Sequence, residues 1–570
     1  MKTKMLIMFV LVSNLLFGQT NIEIQKLEDF TKIYGVVRYF HPSDESAKLN
    51  WDLFTVYAVE EIMKTNSQKE FESKVKELFL HIAPSITFEN EKYNWNKINS
   101  KPVYWINFGL ASGSKSNFYK RKRNIQDSIE IRLNNVPAPM DIYKLKLGNS
   151  FSVNIPLIVY EKDRKTLPTG NFEKYADLKP KIFDHYTAIS NIIIMWSGLR
   201  HFYPYQDEMN IDWDKILKEG IANSYSNKTQ EENFFTLRKF SHYFKDGHMA
   251  ISFPKYYQTN SYSPLIKLKY LKTSQQLVIS DLLLPIDHLK KGDIISLIDN
   301  KKPNTIIDSL NNYLSGSEQY TTHNAFREIL KGKENSIISL TLENGKKVDL
   351  KRNSITYKNS DFFNKDNKDE IKELSDSILY INLQNLTQTV LTVNLEKIKN
   401  FKKIIIDLRG YPKKSEDSWK ILGNTFFSDR NNVKFITTPK IQNPFYENMI
   451  YADYSGWDIK KNKELNSKVA LLVYEGSASF QESIPQFLKG NNYVTIVGRM
   501  TAGANGGRND ISLLNGMGYS FTGQKVRNAD GSIFHTIGVK PDIIVEDNME
   551  DIKDGKDTFI EKAIEYLNKK

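Results

Sequence analysis

Four short apolar runs in the last third of the chain, SILYINL, KIIIDLRG, VALLVYE and YVTIVGR, are parted by stretches long enough to form helices. Strands that are apolar on both faces are the kind buried in a mostly parallel sheet, and parallel neighbours need a crossover helix between them. Residues from about 370 to 570 are therefore expected to form an α/β layer. In such sheets chemistry gathers at the carboxyl ends of the strands. Three of the runs lead into Asp407-Leu408-Arg409-Gly410, Glu475-Gly476-Ser477-Ala478-Ser479-Phe480 and Gly498-Arg499-Met500-Thr501-Ala502-Gly503.

Ser479 is the residue with the most to say about chemistry. It lies in VALLVYEGSASFQESIPQFL, an apolar strand, a turn of small residues and an amphipathic helix. A hydroxyl at a helix N-terminus stands beside unbonded N–H groups and the positive end of the dipole, which favour a developing anion. A nucleophilic serine and its oxyanion hole need that setting. The bland alternative is an N-cap, with Glu482 three residues on completing a capping box. Neither GxSxG nor a P-loop is present, because EGSASF breaks the first pattern and GRMTAGANGG has no Gly-Lys-Ser/Thr end. Of nine histidines, His248 in KDGHMAISF sits between a helix and a strand, where a turn can hold its ring rigidly to accept a proton. His41, His201 and His535 lie next to aromatics or strand ends and read as packing. No histidine pair has HExxH or another metal-site spacing, so no metal and no cofactor is expected.

Upstream, the chain repeats itself. YGVVRYFHPSDESAKLNWD from Tyr34 aligns without a gap to WSGLRHFYPYQDEMNIDWD from Trp196, at an offset of 162 residues. Arg38, Phe40, Pro42, Trp51 and Asp52 meet Arg200, Phe202, Pro204, Trp213 and Asp214. Each copy continues in amphipathic helices, so a duplicated helical unit is expected. The first copy lacks the Asp-Gly-His turn and reads as structural. Between the copies VYWINFGL, SIEIRL and FSVNIPLIVY read as strands. After the second copy come short strands, an Glu343-Asn344-Gly345 hairpin turn and one helix from Asn324 to Leu330. The expected segments are a leader over 1–19, helical copies over 20–88 and 181–258, a β-rich insert over 89–180, a further small domain over 259–355 and the α/β domain over 356–570.

The leader reading rests on Lys2 and Lys4 ahead of the apolar run Met5–Phe17, a secretory pattern. It implies an exported protein, periplasmic or secreted. No later run is long and apolar enough to span a bilayer, so no stable membrane insertion is expected. The chain has no cysteine, which excludes disulfides and thiolate metal sites. The net charge of +12 is scattered apart from Lys120-Arg121-Lys122-Arg123, read as a solvated loop, and no nucleic-acid partner is expected.

Taken together these pieces resemble the C-terminal processing, or tail-specific, serine peptidases, whose catalytic domain is related to the tricorn protease core. The matching features are Asp246-Gly247-His248, LKKGDIISLID at Leu289–Asp299 within a PDZ-like segment, Asp407–Gly410, GSASFQE at Gly476–Glu482 and GVKPDIIV at Gly538–Val545. The resemblance implies a multidomain α+β and α/β chain with a PDZ-like domain and a ClpP/crotonase-like catalytic domain. It implies Ser479 as nucleophile, with Gly410 and Phe480 supplying oxyanion N–H groups. The Ser-Lys branch carries a lysine 25 residues after the serine, and Ala504 stands there. The tricorn-like branch uses the histidine of the Asp-Gly-His turn, here His248. That branch has a glutamate shortly before the GVxPD segment, and the nearest match is His535, which with Glu482 is a supporting group. The loop Asp407–Lys414 lacks the glycines of the family's DLRxNxGG. The implied substrate is a peptide or the C-terminal tail of an unfolded protein. The alternatives are a catalytically inactive peptide-binding relative and a crotonase-like acyl-CoA enzyme; the oligomeric state is open.

Overall fold

The computed structural model describes residues 2–89, 91, 101–107, 109, 121–123, 142–147, 151–355, 371–384, 386–412, 436–441, 443–454, 467–488, 494–528 and 530–569. They divide into two compact units. The first comprises Met1–Tyr243, Thr438–Ala452 and Asn509–Gly523; the second comprises Phe244–Thr437, Asp453–Arg508 and Gln524–Lys570.

The first unit is built on helices α1 (Lys2–Phe40), α2 (Trp51–Met63), α3 (Gln68–Leu80), α4 (His185–Phe202), α5 (Trp213–Tyr225) and α6 (Gln230–Ser241). The 162-residue offset of the sequence recurs in their ends: α1 and α4 stop at Phe40 and Phe202, and α2 and α5 both start and stop in step. The caps recur too. Asn50 and Asp212 accept from the N–H groups of Leu53 and Lys215, and Ser67 and Thr229 accept from those of Glu70 and Glu232. Side-chain oxygens at these N-caps satisfy donors the helix itself leaves open. Where the equivalent motifs meet, Phe202 packs edge-on to Tyr39 with ring centroids 4.9 Å apart. Arg38 pairs with Asp52 at 2.9 Å, and Arg200 lies over the Trp213 ring at 5.5 Å.

Strands fill part of the insert: Thr87–Phe88, Phe151–Pro156 and Ile142–Leu147 form one antiparallel sheet. The run SIEIRL lies outside the described residues. The basic cluster is not a solvated loop. Arg121–Arg123 is a strand paired with Trp105–Asn107, and the Arg123 guanidinium is bound to Asp44 and to the Ser43 carbonyl; Lys120 lies outside the described residues. A run of like charge gave no hint of that pairing, because its partner strand is an apolar run elsewhere in the insert.

The second unit opens with an antiparallel sheet in sequential order, β1 (Ile266–Leu271), β2 (Gln276–Leu282), β3 (Ile294–Ile298), β4 (Ile337–Leu342) and β5 (Lys347–Lys351). Gly345, with φ at +81°, makes the β4–β5 turn as the hairpin signal required. Two helices, α7 (Pro303–Asn311) and α8 (Glu318–Glu328), pack on this sheet; Ile307, Ala325 and Ile329 join Ile279, Ile295 and Leu340 in its core. The single helix expected over Asn324–Leu330 is thus corrected. It begins at Glu318, because the β-branched pair Thr321-Thr322 masks the helical period, and Pro303 at a first-turn position starts a second one.

The α/β sheet has the order β6 (Ile371–Ser375), β7 (Ile378–Asn382), β8 (Lys403–Asp407), β9 (Lys468–Val473), β10 (Val494–Gly498) and β11 (Ile543–Ile544). β6 is antiparallel to β7 and all other neighbours are parallel. Alternate residues face opposite sides. Leu379, Ile381, Ile404, Ile406, Leu471 and Val473 meet Ile484 and Leu488 of α9 (Phe480–Leu488). Tyr380, Ile405, Ala470 and Leu472 meet Phe559, Ala563 and Leu567 of α10 (Thr558–Asn568) on the other side. Burial on both faces is what the continuous apolar runs require, at about 1.5–3 kcal/mol per large side chain.

Candidate active site

The site is built at the carboxyl ends of β8, β9 and β10. After β9 the chain turns sharply: the Ser477 N–H donates to the Tyr474 carbonyl at 2.9 Å, and the Ser477 hydroxyl accepts from the Tyr474 N–H at 3.2 Å. Ser479 then takes φ of +58°, and α9 starts at the next residue. A left-handed conformation costs a serine on the order of 1–3 kcal/mol and persists only where neighbours hold it. Here the neighbour is the loop after β10. The Ser479 N–H donates to the Ala504 carbonyl at 2.8 Å, and the Ala502 N–H donates to the Ser477 carbonyl at 2.9 Å. β10 comes this close because its last residue is glycine. Gly498 has φ of +147°, and a Cβ there would lie 1.8 Å from the Val473 carbonyl oxygen.

Glu482, one turn into α9, is fully buried. Its carboxylate accepts from the Thr501 hydroxyl at 2.5 Å, the Gly503 N–H at 2.7 Å and the Ala504 N–H at 2.8 Å. Burial pushes its pKa up to about 7, against the pull of those donors and of the Ser479 amide. The hydroxyl half of a capping box is absent, since the Glu482 N–H donates to the Ser479 carbonyl at 2.8 Å. The same loop anchors the C-terminal segment. Val539 donates to the Thr501 hydroxyl at 2.8 Å and Thr536 to the Gly503 carbonyl at 2.9 Å.

The Asp-Gly-His turn docks on this loop. A Cβ on Gly247 would come 2.5 Å from that of Ala504, so only glycine lets the turn approach. Buried Asp246 accepts the His248 N–H at 2.9 Å, and its own N–H donates to the Ser315 hydroxyl at 2.9 Å. The start of α8 braces both sides: the Ser317 hydroxyl donates to the Ala502 carbonyl at 2.7 Å and the Gln319 amide to the Thr501 carbonyl at 2.8 Å. His535 is buried, which lowers its pKa to about 4. Asp246 acts in the opposite sense, and His248 and Lys525 add to the lowering.

Gly410 follows β8, and Gln384 crowds it; a Cβ on Gly410 would lie 1.9 Å from the Gln384 Oε1. The loop is tied to α9 next to Phe480. The Gln481 side chain donates to the Leu408 carbonyl at 2.8 Å and accepts from the Ala478 N–H at 3.4 Å. Arg409 points elsewhere, forking onto Asp557 at 2.9 and 2.8 Å and bonding Asp407 at 3.0 and 2.6 Å, so it clamps α10. The remainder of the Asp407–Lys414 loop, Lys413 and Lys414, lies outside the described residues.

Sequence reasoning passed over Gln481, the Ala504 carbonyl and His323. The His323 ring stands edge-on to Tyr474 at 5.2 Å, and its Nε2 would lie 2.7 Å from a Cβ on Gly476. Nothing local marks such residues, because each acts through a partner far along the chain. A glutamine on an otherwise apolar helix face was the one signal available.

Residues 377–545 match the model of Peptidase family S41. A probable CtpA-like serine protease of Staphylococcus aureus strain N315 is 27% identical over 230 residues, 38% of this chain and 42% of that protein. Its counterpart in Staphylococcus epidermidis strain ATCC 12228 is 25% identical over 224 residues, with the same shares of 38% and 42%. The chain thus spans less than half the length of the curated relatives it matches. Mature CPAF complexed with lactacystin shares the fold, with a TM-score of 0.53 at 13% identity over 67% of this chain and 98% of that one. A parallel sheet with a serine turn after its central strand, together with the family match, makes 377–545 a peptidase family S41 segment, and 230 residues of the chain are similar to CtpA-like serine proteases.

Proposed function

We propose that this chain is an exported serine peptidase that hydrolyses peptides or protein tails through an acyl-enzyme, with Ser479 as nucleophile and His248 as general base. The observation that carries the reading is the φ of +58° at Ser479, held by the Ala504 carbonyl on the loop against which the Asp-Gly-His turn packs. In this scheme His248 takes the Ser479 proton as the oxygen attacks the substrate carbonyl carbon. The N–H groups of Gly410 and Phe480 receive the oxyanion. The C–N bond then breaks and the amine leaves with the proton from the imidazolium. Water, deprotonated by the same ring, releases the acid and regenerates the serine. Acid–base help of this kind is worth on the order of 10²–10⁴-fold, and each oxyanion donor roughly 10²–10³-fold.

The sheet of β1 to β5 with α7 and α8 serves as a PDZ-like clamp that takes a substrate tail as an added strand. The matched helix ends and caps support a duplicated helical unit whose first copy, without the Asp-Gly-His turn, is structural. The basic, apolar start of the chain supports export.

Ser479→Ala is expected to abolish hydrolysis of an unstructured reporter peptide while the far-ultraviolet circular dichroism stays unchanged. Cleavage at the wild-type rate by that variant sinks the assignment. A second reading, a peptide-binding relative without catalysis, is favoured by Ala504 standing where one branch carries its lysine. It predicts peptide binding by the wild type with no turnover.

A further inference from the structure

Glu482 is a buried acid with three hydrogen-bond donors on one loop and no ion-pair partner among the described residues. Holding such a group ionised is unfavourable, and an apolar or amide side chain would fill the space at less cost. What the carboxylate does there is specific. The Thr501 hydroxyl and the Gly503 and Ala504 N–H groups all point inward, so the loop's outward-facing carbonyls include that of Ala504, which receives the Ser479 N–H at 2.8 Å. Three converging donors need an acceptor-only group. A protonated acid has one proton that competes for the same space, and the loop must then give up a bond.

We propose that Glu482 is a positioning residue: its carboxylate fixes the 501–504 loop so that Ala504 holds Ser479 in its strained conformation, and it must be ionised for hydrolysis. The inference rests on Ser479 being the nucleophile. Its consequence is a split between activity and stability. The Glu482 pKa is raised from 4.5 to about 7 in the fold. Between those values the folded protein binds a proton that the unfolded chain releases. The contribution of Glu482 to stability is therefore greatest at low pH and is lost as pH rises through about 7. Activity through Glu482 runs the other way, rising with pH across the same window. The titratable group that faces this carboxylate is Tyr320 from α8, which also faces Asp246 of the docked turn; Asp246, His248 and Lys525 face His535 in turn.

The test is the second-order rate of Ser479 labelling by a fluorophosphonate, with the melting temperature, from pH 5 to 8.5. In the wild type the acid limb should need two protons, one on His248 and one on Glu482, giving a log–log slope approaching 2. Glu482→Gln should lose about 10²-fold in rate with a slope near 1. The melting temperature of the wild type minus that of the variant should rise as pH falls from 8 to 5. Glu482→Asp, which keeps the charge, should recover part of the rate and the second proton. A one-proton limb in the wild type, or a Glu482→Gln rate within a factor of two of it, overturns the positioning role while leaving the nucleophile in place. Absence of labelling at every pH instead removes the serine reading, and this proposal with it. Should Glu482→Gln fail to fold, the wild-type slope and the Glu482→Asp rate decide alone.

Discussion

His41 is buried with its two ring nitrogens 3.0 Å from the Ser43 hydroxyl and 2.6 Å from that of Ser85, and burial lowers its pKa from 6.5 to about 3. His201, buried against Gly35 and the Phe40 ring, is lowered to about 3 by burial and by Arg200. Both must stay neutral in the fold. Below pH 6.5 the unfolded chain takes up protons that the folded one refuses, so stability falls as pH falls. The slope is about 1.4 kcal/mol per pH unit per histidine until pH nears 3. Thermal melts should show the first unit losing stability steeply between pH 6.5 and 4.5. His41→Asn should melt lower at pH 7.5 but fall less over that range; an unchanged slope would mean His41 does not titrate on unfolding. Neither environment could be read from the sequence. The serines that meet His41 are two and 44 residues away, and only the first is local.

At the scale of elements, the strands were the most readable part. Runs apolar on both faces announced β7 to β10, and Glu343-Asn344-Gly345 announced the β4–β5 hairpin. The antiparallel edge β6 was not apparent, because IKELS is half exposed and carries little apolar pattern. What joins one loop to another was also hidden, and Gln481 is the case in point. Its amide bonds Leu408 before the expected oxyanion glycine and Ala478 before the expected nucleophile. Gln481→Leu keeps the volume but strands a buried carbonyl, a loss of about 1–3 kcal/mol. If that strain falls on the oxyanion loop, kcat should drop about 10-fold with KM within a factor of two. Loss of KM with kcat intact would place Gln481 in tail binding.

At the scale of the whole molecule, Ser479, Glu482, His248, His535, Gly410 and Phe480 all fall within the second unit, although 287 positions separate the first of them in the chain from the last. Short motifs flagged five segments, and the family resemblance assembled them. The physical reason three of them meet, a single loop at 501–504 bonded to two of them and packed against the Asp-Gly-His turn, is visible only in three dimensions. The central claim is that this loop arms Ser479. Its most direct test is intact-mass and peptide mapping after fluorophosphonate treatment at pH 8. The account predicts one adduct, on the peptide bearing Ser479, absent in Ser479→Ala and at least 10²-fold slower in His248→Ala. No adduct on the folded wild-type protein, or an adduct formed equally fast without His248, would contradict it.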